Sequence, residues 1–178
     1  MTALEVFRQQ KDRFFKADPH SPLLPQQKDA FEGLRYYPEN PALRLEVTVE
    51  PFEEQTPVTL QTSTGDVAEY LRWGRFTFQV EGQPAALTVY LAYGGAGYFL
   101  PFMDATNGTE TYDAGRYLEI EPLAGGRFLV DFNLAYNPYC AYNPYWSCPI
   151  PPPENRLAVP IRAGEMKPAG AWVEQAHL

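Results

Sequence analysis

Residues 43–50 read Leu-Arg-Leu-Glu-Val-Thr-Val-Glu. Leu43, Leu45, Val47 and Val49 alternate with Arg44, Glu46, Thr48 and Glu50. A period of two puts successive side chains on opposite faces of an extended chain, so this stretch is a strand with one face buried. Before it the spacing differs. In residues 2–17 Leu4, Phe7 and Phe14 recur on one helical face with Phe15 beside them, while Arg8, Gln9, Lys11 and Asp12 are polar. Thr2 and Glu5 stand in capping-box spacing, and Asp18-Pro19 ends the helix. His20-Ser21-Pro22 reads as a turn and Gln26–Phe31 as a short helix ended by Gly33.

After residue 43 the strand rhythm continues. VTLQTS (58–63), VAEYLRW (67–73), RFTFQVE (75–81), ALTVYLAY (86–93), GYFLPFM (97–103), GRYLEIE (115–121), GRFLVDF (126–132) and RLAVPIR (156–162) follow. Gly and Pro separate most of them, and Trp73-Gly74 and Gly125-Gly126 look like hairpin turns. The expectation is a mainly β protein: an antiparallel barrel or sandwich of about nine strands, with a short N-terminal helical arm over residues 1–40 packed on a β domain over residues 41–178. The composition agrees, with 12 Tyr, 11 Phe, 18 Pro and 13 Gly among 178 residues. Aromatics favour strands, and Pro and Gly favour the turns between them. At this length folding buries roughly 70% of the unfolded chain's surface, so no metal or disulfide is needed merely to fold.

Several function classes lack support. A net charge of −8 with scattered Arg residues offers no basic stripe for nucleic acid. No apolar run reaches the roughly 20 residues of a membrane span, and the first 20 residues do not read as a signal peptide, so a cytoplasmic location is expected. GGAG at 94–97 reads as a turn and extends to no nucleotide-binding motif. His20 and His177 lie near opposite termini, which disfavours a nucleophile–His system. The seven residues between Cys140 and Cys148 match no common zinc spacing, so neither metal nor cofactor is expected. Free buried thiols, a disulfide closing a small loop, and redox chemistry remain open for this pair.

Two connections exceed the usual loop length: DATNGTETYDAGR (104–116) and the run from Asn133 to about Asn155. They flank the strands 115–121 and 126–132. If those strands form a hairpin, both loops leave the same end of the sheet. The second loop carries Ala-Tyr-Asn-Pro-Tyr twice, at 135–139 and 141–145, followed by Pro-Ile-Pro-Pro-Pro at 149–153. Asn-Pro fixes an extended or turn conformation, and Asn side chains bond backbone. Such order suggests a shaped pocket. The expected ligand-binding set is Tyr112, Arg116, Asn133, Tyr136, Asn137, Tyr142, Glu154, Asn155 and Arg156, holding an unidentified small molecule. The alternative is a carboxylate-dependent hydrolase, with Asp104 or Glu110 as acid/base, Asp131 as second carboxylate and Arg116 stabilising developing charge. A third reading is a partner-binding or structural module that docks a protein on the Tyr- and Pro-rich loop. Oligomeric state is not legible.

The segments PFMDATNGTETYDAGRYLEIE, DFNLAYNPYCAYNPYWSCPIPPPENRL and VPIRAGEM resemble the bacterial and archaeal domain of unknown function 1684. The resemblance covers residues 66 to about 167, and SPL (21–23) and FEGLRYYP (31–38) resemble one branch of that family. It implies no particular activity. Its signature elements fall on Asp104–Tyr117, Asp131–Cys140 and Cys148–Arg156.

Overall fold

The computed structural model describes residues 1–95 and 97–177, so Ala96 of the GGAG turn lies outside it. The alternating runs form eight strands: β1 (Arg44–Thr48), β2 (Glu50–Pro51), β3 (Pro57–Gln61), β4 (Val67–Val80), β5 (Gln83–Ala92), β6 (Tyr98–Phe102), β7 (Arg116–Pro122) and β8 (Arg127–Asp131). All pairings are antiparallel, in the order β1-β8-β7-β6-β5-β4-β2, with β3 also on β4. Only Val49 separates β1 from β2. The stretch 44–51 therefore pairs with β8 through its first half and β4 through its second, and it ties both ends of the sheet together. The result is a nearly closed barrel rather than a sandwich.

The barrel interior is filled with side chains. In β4, Phe76, Phe78 and Val80 point inward and alternate with exposed Arg75, Thr77 and Gln79. Leu87, Val89, Leu100, Phe102, Val130 and Phe132 are fully or almost fully buried in the same cluster. Burying one such side chain contributes about 1.5–3 kcal/mol, so this core carries most of the stability.

Two details differ from the alternation pattern, each for a physical reason. Trp73-Gly74 is not a hairpin turn: β4 runs straight through, and the pairing with β5 slips between Arg72 and Gly74 as a β-bulge. Glycine is required because the chain at Glu50 crosses there. A Cβ on Gly74 would sit 2.8 Å from the Glu50 carbonyl oxygen. Residues 67–73 and 75–81 are thus one strand. Residues 156–162 form no strand either. They are irregular, and Val159 and Ile161, with Ala163 beyond them, enter the core instead. Pro160 has no N–H to give to a ladder, and the neighbouring polar backbone groups are taken by side chains described below.

Helix α1 (Ala3–Ala17) carries the capping box: Glu5 N–H donates to Thr2 Oγ1 at 3.1 Å, and Thr2 N–H to Glu5 Oε2 at 2.7 Å. A short α2 (Pro25–Ala30) and a C-terminal α3 (Ala171–Glu174) complete the helices. They meet outside the barrel in a second apolar cluster of Phe15, Leu23, Phe31, Tyr142 and Trp172. The Phe15 ring stands edge-on to Tyr142 at 5.1 Å, and Phe31 edge-on to Trp172 at 5.0 Å. Among the described residues no helix is long and apolar enough to cross a membrane.

Candidate functional site

β7 and β8 form the expected hairpin, turned at residues 124–126 with Gly125 and Gly126 at positive φ. The two long loops accordingly leave one end of it. Tyr117 and Tyr136 exchange backbone hydrogen bonds of 2.8 and 2.9 Å, and the Tyr112 hydroxyl donates to the Cys140 carbonyl at 3.4 Å. Backbone and side-chain hydrogen bonds thus join the two loops at their junction.

Arg116 is the centre of that packing. It shares the inward face of β7 with Leu118 and Ile120, and only 1% of it is exposed. Its guanidinium donates to the carbonyls of Ile161 (2.8 Å), Ala163 (2.5 Å) and Glu165 (3.1 Å), and lies 3.5 Å from Asp104 Oδ2. Asp104 also accepts from Ile161 N–H at 2.5 Å and from Thr106 Oγ1. Burial pushes the Asp104 carboxyl above its ordinary range against the pull of Arg116, and burial lowers Arg116. This ion pair replaces the strand ladder that residues 161–165 lack. Glu110, by contrast, is near the surface with Arg162 at 3.2 Å and accepts from the Tyr37 hydroxyl at 3.0 Å. Hydrogen bonding from Arg162 holds its carboxyl low. Asp131 caps Asn133 N–H at 3.0 Å and faces Arg44. The three candidate carboxylates thus have separate partners, whereas a two-carboxylate hydrolase needs two of them facing one cavity.

The asparagines of the second loop act as clamps. Asn133 bonds both backbone groups of Asn40, at 2.8 and 3.0 Å. Asn137 donates to the Met166 carbonyl at 3.0 Å, and Asn143 to the Pro22 carbonyl at 2.8 Å. The doubled AYNPY therefore places one buried amide on the C-terminal segment and one on the N-terminal arm. Asn155 has no exposure and bonds Thr88 N–H and C=O, each at 2.8 Å, and the Pro101 carbonyl at 2.9 Å. Among the described residues β5 and β6 pair in strand register at two positions, Tyr90–Phe99 and Leu91–Tyr98. The Asn155 amide stands in for a missing peptide between them. Beside it Glu154 takes Arg72 at 2.8 Å and the Tyr90 hydroxyl, while Arg156 is exposed.

Two residues outside the expected set prove central. Glu165 is 2% exposed and accepts from Lys11, from Asn137 N–H at 3.0 Å and from the Tyr142 hydroxyl at 3.1 Å. It lies within the VPIRAGEM segment, but a carboxylate two residues after an alanine carries no burial signal of its own. Lys11 pins α1 to the barrel through Glu165 and lies 4.9 Å from the Tyr136 ring centre.

An open cleft of about 560 Å³ lies between α1 and the outside of the barrel. Phe7, Gln10, Lys11 and Phe14 line one wall, and Glu119, Leu134, Tyr136 and Tyr139 the other. Phe7 and Leu134 are 42% and 37% exposed. The Tyr136 hydroxyl donates to Glu119 Oε1 across the floor. Of the residues expected to bind ligand, Tyr136 alone lines this cleft.

Cys140 and Cys148 are free thiols, the first partly exposed and the second buried. Cys140 N–H donates to Cys148 Sγ at 3.3 Å, and Tyr112 Oη lies 3.6 Å from Cys140 Sγ. A hydrogen bond from the Cys148 thiol lowers Cys140 to about 6, and the same bond raises Cys148 well above the usual thiol range. Among the described residues no group of three or more His, Cys, Asp or Glu side chains is placed to hold a metal ion. His20 is exposed beside Asp18, and the His177 side chain lies outside the described residues.

These features define a small antiparallel β-barrel with a filled interior, an N-terminal helix docked outside it and a clamp loop of buried asparagines. The chain belongs to the family described as proteins of unknown function, DUF1684, whose model matches residues 29–166. Its structure is similar to the solution structure of an uncharacterised protein of Haloarcula marismortui. The two share 40% identity over 92% of this chain and 91% of that one, with a TM-score of 0.70. Comparison with curated proteins finds no match.

Proposed function

We propose that this protein binds a small amphipathic molecule in the cleft between α1 and the outer face of β7. The cleft itself carries the reading. Its volume falls within the roughly 300–1,000 Å³ of ligand pockets, and it joins aromatic and aliphatic walls to a few polar groups. The barrel interior is filled, so a ligand of this size fits outside it, not within. Phe7, Phe14, Leu134 and Tyr139 would cover an aromatic or short acyl body. Lys11 is already paired with Glu165, which leaves the Gln10 amide and the second oxygen of Glu119 for the ligand's polar end.

The uncharged fluorescent probe N-phenyl-1-naphthylamine tests this. Saturable binding to the natural protein is expected. Leu134→Arg, at a position already more than a third exposed, is expected to abolish it while leaving the unfolding midpoint in place. No saturable binding, or equal binding by the variant, overturns the proposal.

A further inference from the structure

The 140–148 loop begins and ends with the two cysteines, neither of which lines the cleft. Its two thiols are not equivalent. Cys148 is 7% exposed and fixed on both sides: its N–H donates to Ser63 Oγ at 3.1 Å, and its carbonyl accepts from Ser63 N–H at 2.9 Å. Cys140 is partly exposed and opens the loop. The Cys140 N–H to Cys148 Sγ contact of 3.3 Å holds the inner sulfur against the outer residue's backbone, and Tyr112 Oη lies 3.6 Å from the outer sulfur. An accessible sulfur with a fixed second sulfur and a hydroxyl beside it is the arrangement of an attacking thiol with a resolving partner.

We propose that Cys140 and Cys148 form a peroxide-reactive dithiol, with Cys140 as the attacking sulfur and Cys148 as the resolving one. The Cys140 thiolate attacks one oxygen of a hydroperoxide. A sulfur–oxygen bond forms, the oxygen–oxygen bond breaks, and the leaving alkoxide or hydroxide takes the proton released when Cys140 ionised. Tyr112 is placed to relay it. The Cys148 sulfur then attacks the Cys140 sulfenic acid. The sulfur–oxygen bond breaks, the Cys148 proton leaves with the hydroxide as water, and an intrachain disulfide remains. Two thiols are oxidised and one hydroperoxide is reduced to an alcohol or water. Hydrogen bonding between the two thiols favours the thiolate of Cys140, the form that attacks.

The reduced full-length chain treated with hydrogen peroxide tests this directly. Both free thiols should disappear together, the intact mass should fall by two hydrogens, and dithiothreitol should restore both. Cys148→Ser should stop at the first step and give a dimedone adduct on Cys140, whereas Cys140→Ser should react no faster than free cysteine. Tyr112→Phe keeps both sulfurs and should slow thiol loss. The proposal fails if the natural protein's thiols react no faster than free cysteine. It also fails if the disulfide joins two chains, or if Cys148→Ser yields no adduct.

Discussion

At the residue scale, amides do the work that sequence assigns to a ligand. Asn155 supplies three hydrogen bonds between β5 and Pro101. Replacing it with Leu leaves Thr88 N–H buried and unpaired, and an unsatisfied buried group costs about 1–3 kcal/mol. Asn155→Leu is therefore expected to lower the unfolding free energy by that amount, read as a lower urea midpoint, and β5–β6 amides should lose protection first. An unchanged midpoint would show that the stitch contributes nothing. The residue types were legible in part: Asn137 and Asn143 read as amides that bond backbone, whereas Asn155 reads only as a ligand contact. Their partners were not, because the carbonyls of Pro22, Thr88, Pro101 and Met166 lie far away along the chain. Arg116 and Asp104 show the same limit. Charged side chains on a loop normally face water, and only the fold reveals that these two replace a ladder for residues 161–165.

At the element scale, period two gave the strands and the antiparallel class, and the β7–β8 hairpin with its neighbouring loops. It could not tell a turn from a crossing. Gly74 carries a turn signal in sequence, yet it is there because strand 50–51 passes over it. This crossing closes the barrel. Gly74→Ala would place a methyl group 2.8 Å from the Glu50 oxygen, with Val49 Cγ1 at 3.0 Å. Backbone on one side and a buried side chain on the other leave little room to yield. The expected loss is about 1–3 kcal/mol, the usual range for overpacking, read as a lower urea midpoint. A neutral result would mean that β2 can lift from β4 without cost, and that the barrel is closed only loosely. The segment 156–162 fails the other way. Its alternation is real, since Val159 and Ile161 are buried, but burial comes from plugging the core and not from a sheet face.

At the scale of the whole molecule there are two apolar clusters, one inside the barrel and one where the N-terminal arm meets the clamp loop and α3. The helix and its cap were readable from Thr2, Glu5 and the apolar spacing, but its seat was not, because Tyr142, Trp172 and Glu165 come from the other end of the chain. Phe15 is the tie between arm and loop: it is 1% exposed and touches Tyr139 and Tyr142 edge-on. Phe15→Ala removes a fully buried ring at a cost of about 3–5 kcal/mol if the cluster cannot collapse. Where that cost falls is the informative part. None of the barrel-core side chains belongs to the Phe15 cluster, and the Lys11–Glu165 pair links the two units by charge rather than by shared packing. Hydrogen exchange of the variant is therefore expected to quicken in α1 and α2 while the amides of β7 and β8 keep their protection. Such a split would mark the arm as a separately opening unit, able to widen the cleft beneath Phe7 and Phe14 without unfolding the barrel. Uniform quickening would instead make arm and barrel one cooperative body, and the cleft would then be a fixed feature of the native fold.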